Sequence, residues 1–221
     1  MARKRYLKKT ALNEARETFL CRAGRTALGT ETVPVTQALG RITAGPIYAR
    51  ISSPHYHGAA MDGICVRAED TFGATEFNPK KLRLVADPSE PQGRFAFVDT
   101  GNALPPWANA VIMIERVRQH DSVTVEIDEA AAPWQNVRLV GEDIVATEPL
   151  LPRCHRLRPY DLGALLAAGH VTVEVKAKPR IAIIPTGNEL IEPGDEPQPG
   201  RIIEFNSAVL AALVTEWGGT A

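Results

Sequence analysis

The stretch HYHGAAMDGICV, residues 55–66, is the part of the sequence from which the fold is best worked out. It places two histidines and a run of small residues before one carboxylate, Asp62, and an apolar segment follows at once. Asp-Gly is a common turn dipeptide, so Asp62 taken alone is predicted to form the corner of a hairpin. A chemical role for Asp62 depends on the residues that surround it in the fold.

On both sides of this stretch the chain consists of short strand-like segments separated by turn residues. The clearest of them read KLRLVAD, RFAFVDTG, NAVIMIERV and SVTVEI. Apolar residues alternate at Val123, Val125 and Ile127, which is typical of a strand with one buried face. We therefore predict a small antiparallel β domain over residues 51–143, either barrel-like or a sandwich.

Helical patterns lie outside this β region. Leu12 and Phe19 fall on one face of a predicted helix at 11–23, and a second helix is predicted at 159–168. This second helix has Pro159 at its first position and Gly169 just after its end, where proline and glycine are each favoured.

The final segment has a different texture. RIAIIPTGNEL, residues 180–190, predicts a strand buried on both faces of a parallel sheet, followed by a helix with Asn206 as its N-cap. One such strand and one helix cannot cover each other's apolar faces. We therefore expect the chain to be a fragment that ends early in an α/β domain. Residues 180–221 should be poorly packed, or covered by the helix at 11–23 or by a second copy.

Composition narrows the possible functions. The 221 residues are 44% hydrophobic and 23% charged with a net charge of −1, which indicates a soluble globular protein without a general attraction to nucleic acid or membranes. Without a signal-like segment or about 20 consecutive apolar residues, a cytoplasmic protein is expected. The basic cluster at 3–9 is predicted to be a solvated terminus.

Three cysteines without a C-x-x-C spacing favour reduced packing residues over disulfides or a zinc knuckle. His55, His57 and Cys65 could form a metal site on paper, but ordinary turn and packing roles explain them better.

Three further loops each place an oxygen ligand or a charge beside a glycine. They are DTGNALP with Thr100 and Gly101, VRLVGEDI with Arg138, Glu142 and Asp143, and TGNEL with Thr186, Gly187 and Glu189. Backbone N–H groups at such glycines can approach an anion closely. Together with Asp62, these loops predict a cleft for an oxyanion or Mg²⁺ between two lobes.

Five motifs occur in the order and approximate spacing of one known family. AAMDGICVRAEDT, DTGNALPPWANAVIMIE, VRLVGEDI, RPYDLGALLAAGHVTVEV and RIAIIPTGNEL resemble the molybdopterin molybdenumtransferases, which include the E domain of gephyrin. The resemblance runs from about Glu31 to the C-terminus. Five ordered motifs are far more specific than any one of them.

The resemblance implies an α+β, multi-domain fold. Residues 1–50 and 144–177 would form a small mixed α/β first domain, and the β domain of 51–143 would be inserted in it. Residues 178–221 would start a three-layer α/β molybdopterin-binding domain. The family is an elongated homodimer, with its cleft between the β domain of one subunit and the α/β domain of the other.

The resemblance also implies an activity in molybdenum cofactor biosynthesis. Molybdate would be inserted into adenylylated molybdopterin with Mg²⁺-dependent release of AMP, and an adenylyltransferase-type protein is an expected partner. The family's later Ser-Gly-Gly and Pro-Gly-Lys-Pro loops have no match within these 221 residues. This chain alone is therefore expected to be inactive.

Matched residue by residue, the resemblance assigns the cleft. The implied catalytic residues are Asp62, Thr100, Asp143 and Glu189, the implied cofactor-binding residues are Thr100, Gly101, Arg138, Thr186 and Gly187, and the implied metal ligands are Asp62, Asp143 and Glu189. Molybdate and AMP are anions that carboxylates alone would repel, so a hard cation such as Mg²⁺ must bridge them.

The sequence departs from the family at Ala60, where a serine is usual, at Asn109, where an acidic residue is frequent, and at Asn102-Ala103, where Gly-Ala is usual. These changes keep open a non-catalytic paralogue that binds or scaffolds molybdopterin or molybdate. A β-rich structural protein whose acidic loops are only turns is a third reading, although it leaves the motif order unexplained.

Overall fold

A computed structural model of the chain describes residues 9–23, 27–85 and 92–221. Within them the helices are α1 (Leu12–Ala23), α2 (Ala68–Thr71), α3 (Pro159–Ala167) and α4 (Asn206–Glu216). The strands are β1 (Thr30–Pro34), β2 (Ile47–Tyr48), β3 (Gly58–Ala59), β4 (Gly63–Val66), β5 (Lys80–Leu84), β6 (Arg94–Val98), β7 (Ala110–Met113), β8 (Val117–Gln119), β9 (Thr124–Ile127), β10 (Val137–Arg138), β11 (Pro149–Leu151), β12 (Thr172–Lys176), β13 (Leu190–Ile191) and β14 (Ile202–Ile203).

Two segments that are far apart in sequence share one core. Strand β1 pairs antiparallel with β12, and β2 pairs with β11. Helix α3 covers this unit and buries Leu165 against Val35, Leu157 and Val175. The helix predicted at 159–168 is confirmed, and Gly169 follows it with a φ of 86°. The chain thus leaves this apolar core to form the β region between residues 51 and 143, and afterwards returns to the same core.

The β region forms a six-stranded sheet in the order β7-β4-β6-β5-β9-β8. Its first and last strands are consecutive in the chain, joined by the 3₁₀ turn Ile114–Arg116, so the sheet curls back on itself. Phe95, Ile64 and Leu82 are among its fully buried residues. The prediction of an antiparallel sheet is wrong at one pair, because β5 and β6 run parallel. Alternation along a strand is the same in both arrangements and cannot distinguish them.

The C-terminal segment does not contain the predicted strand over 180–190. Strand structure needs a neighbour bonded along its length. Here Thr220 accepts a hydrogen bond from the Ile181 N–H and donates one to the Pro179 carbonyl, and Leu190, at the end of the run, pairs with β14, while the described residues between them have no strand partner. Gly219 is the one buried residue of 180–221, in line with the expected poor packing. Asn206 begins α4 instead of capping it, and the Glu204 carboxylate accepts a hydrogen bond from the Ser207 N–H.

Helix α1 does not bury its apolar face against residues 180–221. It has no buried residue, and Leu12 and Phe19 are 81% and 69% exposed. The basic cluster at 3–9 lies outside the described residues except for Lys9, which is exposed. In the part of the chain that the structure describes, no helix is both long and apolar enough to cross a membrane.

Cys65 lies in the core, and the histidines of the hypothetical metal site lie outside it. Burial raises the pKa of the Cys65 thiol to about 11, which disfavours the thiolate that a metal would need. Across residues 9–23, 27–85 and 92–221, no three His, Cys, Asp or Glu side chains are grouped closely enough to hold a metal ion. Cys65 is therefore a packing residue.

Candidate functional site

The short strand β3 joins two of the predicted loops. The Ala59 N–H donates to the Asn102 carbonyl at 2.9 Å, and the Gly101 N–H donates to the Ala59 carbonyl at 2.8 Å. On its other side β3 pairs with β10, with Ala59 opposite Val137. The loop that contains Thr100 and the loop that contains Arg138 are thus fixed to the same two residues of backbone.

Asp62 and Thr100 form a direct pair. The Thr100 N–H and hydroxyl both donate to Asp62 Oδ1, at 2.6 and 2.7 Å. These two hydrogen bonds from Thr100 hold the pKa of the exposed Asp62 carboxyl below its usual range. The bond from the hydroxyl has the larger effect, and the bond from the N–H adds to it. Oδ2 has no hydrogen-bond partner among the described residues, so one oxygen of an anchored carboxylate faces outward.

The turn after β6 presents Thr100 to Asp62. The Asn102 N–H bonds to the Asp99 carbonyl at 2.9 Å, and Gly101 lies at the third position of this turn with a φ of 88°. Glycine adopts this conformation without a steric penalty. The Asn102 side chain accepts a hydrogen bond from the Asp99 N–H at 3.1 Å and closes the turn further.

The hairpin-corner prediction for Asp62 is wrong. Gly63 is the first residue of β4 and does not have a positive φ. A Cβ at Gly63 would collide with the carbonyl oxygen of Ile112, so this glycine is needed for the close approach of β4 and β7. Asp62 therefore directly precedes β4, a strand paired on both sides, and its carbonyl accepts a hydrogen bond from the N–H of Ile114 in the turn after β7.

Arg138 is paired within its own loop. Its guanidinium lies 3.3 Å from the Asp143 carboxylate and 3.5 Å from that of Glu142. The Asp143 N–H donates to the Ser53 carbonyl at 2.9 Å, which anchors the loop. No hydrogen bond or ion pair within the described residues connects Asp143 directly to Asp62. Asp62 follows β3 in the chain, and Asp143 lies on the loop after β10, the strand that pairs with β3.

His57 organises both loops, although the sequence offered it only as a possible metal ligand. Its Nδ1 accepts a hydrogen bond from the Val140 N–H at 3.2 Å, and its carbonyl accepts one from the Leu104 N–H at 2.8 Å. The ring also packs on Trp134, with centroids 4.9 Å apart. The only signal in the sequence was the position of this histidine directly before the small residues of β3.

Thr186, Gly187 and Glu189 lie on a separate loop of the C-terminal segment. The Glu189 carboxylate folds back over Gly187, which has a φ of 152°. Beside them is a cavity of about 630 Å³ whose lining includes Glu192, Glu204 and Arg201. Among the described residues, no hydrogen bond or ion pair links this loop to Asp62 or Thr100. One copy of the chain does not bring the two sides of the predicted cleft into contact.

The Asn109 side chain contacts the start of helix α2 and not the loops of the site. Its Oδ1 accepts a hydrogen bond from the Ala68 N–H at 2.7 Å, and its Nδ2 lies 3.3 Å from Glu69 Oε1. Asn109 therefore satisfies the first backbone donor of α2 while also donating to an acidic side chain, which an aspartate could not do. This departure from the family has a structural reason.

Comparisons with known proteins agree with one another. The family described as MoeA N-terminal region (domain I and II) matches residues 10–169. A Mycobacterium tuberculosis protein named molybdopterin molybdenumtransferase 2 is 37% identical over 198 residues, covering 85% of this chain and 48% of that protein. A Nostoc protein named molybdopterin molybdenumtransferase is 35% identical over 197 residues, covering 86% of this chain and 45% of the relative.

A solved structure shows the same fold. The crystal structure of a molybdopterin biosynthesis MoeA protein from Pyrococcus horikoshii matches with a TM-score of 0.83 at 36% identity, over 92% of this chain and 55% of that one. The chain spans about half the length of the curated relatives it matches.

Proposed function

The chain belongs to the MoeA family through its N-terminal region, and on that basis we propose that it acts in molybdenum cofactor biosynthesis. Its role would be that of a molybdopterin molybdenumtransferase, which inserts molybdate into adenylylated molybdopterin with Mg²⁺-dependent release of AMP. The observation that carries this proposal is the Asp62–Thr100 pair, because it supplies an exposed carboxylate oxygen on a rigid support.

Hydrogen bonds donated by Thr100 favour the ionised form of Asp62 and fix the direction of its carboxylate. A carboxylate bound through one oxygen has the other free for a cation or for a cation's water. The neighbouring Gly101 leaves room for a bulky anion to approach the loop. The pair can therefore position a cation–anion complex without rearranging.

Mg²⁺ fits this donor set as a partly protein-bound ion. Mg²⁺ keeps several waters and commonly takes one or two carboxylates together with substrate phosphate oxygens. Asp62 would be one ligand, and we propose Asp143 and Glu189 for the ion or its waters. When bound, the ion would offset the negative charge of phosphate and molybdate.

We further propose that Glu189, Thr186 and Gly187 reach the site from a second copy in a homodimer. The separation of their loop from Asp62 within one chain supports an arrangement in which each copy contributes one side. The β region would then be an inserted barrel, and residues 178–221 the start of the α/β molybdopterin-binding domain. An adenylyltransferase-type protein would deliver the substrate.

A binding-only role was suggested by two departures from the family, Ala60 and Asn109, and only Ala60 still supports it. Asn109 caps α2 and does not stand near Asp62, so its departure from the family no longer indicates a missing site carboxylate. Ala60 remains, next to the site and half-buried, with its N–H bonded to the Asn136 carbonyl. A serine hydroxyl at position 60 would be one donor more, and its loss is compatible with turnover at a reduced affinity for anions.

The test measures, by chromatography, the AMP released from adenylylated molybdopterin in the presence of molybdate and Mg²⁺. Because the relatives are about twice as long, the assay compares the 221-residue chain with a chimera that adds the C-terminal half of the Mycobacterium tuberculosis relative. We expect turnover from the chimera and none from the chain alone. Asp62→Ala in the chimera should lower the rate by about 10² or more.

The matched control is Asp121→Ala, which removes another exposed carboxylate that also accepts a backbone hydrogen bond, from the Val123 N–H. This variant should keep the rate of the unmodified chimera. A folded Asp62→Ala chimera with an unchanged rate would reject the site, and a folded chimera that binds molybdopterin without releasing AMP would favour the binding-only role.

A further inference from the structure

A second cavity lies between the first unit and the C-terminal helix. Its volume is about 530 Å³, within the range of small-molecule pockets. Residues around Arg41 and Arg156, the end of β12 and the last turn of α4 line it. None of the loops with Asp62, Thr100, Asp143 or Glu189 contributes to its walls, so it is separate from the proposed active site.

Positive charge is concentrated in this cavity. Arg41, Arg156, Lys176 and Lys178 line it, against one carboxylate, that of Glu216. Arg41 pairs with Glu31 and also donates to the Lys176 carbonyl at 2.8 Å. The other three cations have no carboxylate within 4 Å in the part of the chain that the structure describes.

This local excess contrasts with a net charge of −1 for the whole chain. Cations held on the wall of one concave site raise its electrostatic potential, and a bound anion relieves their repulsion. Arginine and lysine together are the residues most used to hold phosphate, through N–H donors and point charge respectively. The charge pattern therefore favours a phosphate group as the ligand's anionic part.

An aromatic surface stands beside these charges. Trp217 follows directly after α4, lines the cavity and is 75% exposed. An indole exposed to this extent offers a face on which a planar ring can stack. Hydrophobic packing does not explain its position, because few of its atoms are covered.

We propose that this cavity binds a small molecule that carries both phosphate and an aromatic ring. Arg156, Lys176 and Lys178 hold the phosphate, and Trp217 stacks on the ring. A concave site of this size suits a compact ligand better than an acidic protein segment, which needs a long open groove. The inference does not depend on the proposed transferase function.

Calorimetric titration of the 221-residue protein at low salt tests this proposal with three probes: AMP, pyrophosphate and adenosine. We expect AMP and pyrophosphate to bind and adenosine to bind much more weakly, since it lacks the phosphate. Trp217→Ala should weaken AMP binding and leave pyrophosphate binding unchanged. An acidic peptide, such as a short poly-glutamate, should bind more weakly than pyrophosphate.

Charge reversals locate the site. Arg156→Glu and Lys178→Glu should each weaken pyrophosphate binding about tenfold or more, because each removes a charge-assisted contact and adds a repulsive one. Arg153→Glu is the matched control, since it makes the same change of net charge at an exposed residue outside the lining. Both cavity residues are exposed, so circular dichroism should show wild-type folding.

Three results would overturn the proposal. They are the absence of pyrophosphate binding at millimolar concentration, an equal loss of affinity in Arg153→Glu, and tighter binding of the acidic peptide than of pyrophosphate. An unchanged affinity for AMP in Trp217→Ala would reject the aromatic part. The variants all lie outside the Asp62 site, and AMP bound at that site would not respond to Trp217→Ala or Arg156→Glu, so failure here leaves the transferase proposal intact, and the converse holds.

Discussion

At the scale of single residues, the most informative contact is the one between Thr100 and Asp62. Two donors from a single residue converge on one carboxylate oxygen, and this explains why the pKa of an exposed carboxyl is lowered. An exposed aspartate is usually free to rotate, whereas this one has a fixed direction. The site therefore depends on the hydroxyl as much as on the carboxylate.

Thr100→Val tests this contact with little change of shape. The variant loses the hydroxyl donor and keeps the N–H, so the pKa of Asp62 should rise towards its usual value without reaching it. Carbon-13 NMR titration of the Asp62 carboxyl measures the shift. Asp121, whose pKa is lowered by its own bond from the Val123 N–H, should titrate as in the wild type. An unchanged Asp62 pKa would show that the hydroxyl bond does not form in solution.

Sequence reasoning found the residue types of the site but not their contacts. The motifs MDG and DTG indicated Asp62 and Thr100 separately, and only the curled sheet brings positions 38 residues apart to 2.7 Å. His57 was missed as an organising residue, because its role depends on the Val140 N–H from a distant loop. Contacts between backbone and side chain across loops leave no periodic trace in a sequence.

At the scale of elements, glycines and caps decide where strands and helices fit. The Gly63 main chain lies against that of Ile112 on the neighbouring strand, which no sequence pattern specifies. Helix α3 shows the opposite case, since Pro159 and Gly169 marked both of its ends correctly. Local turn chemistry can be predicted from sequence, whereas close approach between strands is a tertiary property.

Gly63→Ala and Gly163→Ala should have effects of opposite sign. A methyl at position 63 collides with the Ile112 carbonyl, so the free energy of unfolding should fall by about 1–3 kcal/mol. Gly163 lies inside α3 with open space around its Cβ position, so alanine there should add about 0.5–1 kcal/mol. Urea unfolding followed by circular dichroism gives both values. Equal effects at the two positions would contradict the strand spacing.

Helix α3 is held at its start by Asp161. The Asp161 carboxylate accepts hydrogen bonds from the Arg158 N–H at 2.7 Å and from the Arg158 guanidinium at 3.2 Å, and it lies 2.6 Å from His155 Nε2. Hydrogen bonding by Arg158 is the main cause that holds the pKa of this buried carboxyl well below its usual value, and His155 adds to the effect. The cluster therefore stabilises the fold only while Asp161 is ionised.

Asp161→Asn should lower the free energy of unfolding by about 1–2 kcal/mol at pH 7. The folded pKa is below the unfolded value of about 4, so the contribution is complete above pH 4 and is lost as pH falls towards the folded pKa. The difference between wild type and variant should therefore shrink in acid, as measured by urea unfolding at pH 7 and pH 3. Asp195→Asn, at an exposed carboxylate, should match the wild type at pH 7. A difference that grows in acid would reverse the sign of the argument.

At the scale of the whole molecule, the chain combines a packed part and an open part. The first unit and the curled sheet contain nearly all the buried residues, whereas residues 180–221 contribute Gly219 alone. The apolar run after Arg180 was predicted to be a strand buried on both faces, and this is wrong: residues 180–190 contain no buried residue, because only neighbouring strands make an extended segment a buried strand. A sequence pattern does not specify which strands lie beside such a segment.

Hydrogen–deuterium exchange should separate these two parts. Amides of residues 182–189 have no backbone acceptor within the described residues, and they should exchange fast. Amides of β4, which is paired on both sides, should be protected by many orders of magnitude. Mass spectrometry of peptic fragments resolves the two segments. Protection of 182–189 comparable to that of β4 would show a strand pairing that this fold does not contain.

The central claim is that Asp62, aimed by Thr100, binds the cation of a cation–anion complex. The most direct measurement is an anomalous difference map from crystals grown with AMP and with Mn²⁺ in place of Mg²⁺. We predict a manganese peak at coordination distance from Asp62 Oδ2, about 2.1 Å for the Mg²⁺ that it replaces. A map in which manganese binds only elsewhere, with Asp62 contacting Thr100 alone, would contradict the account.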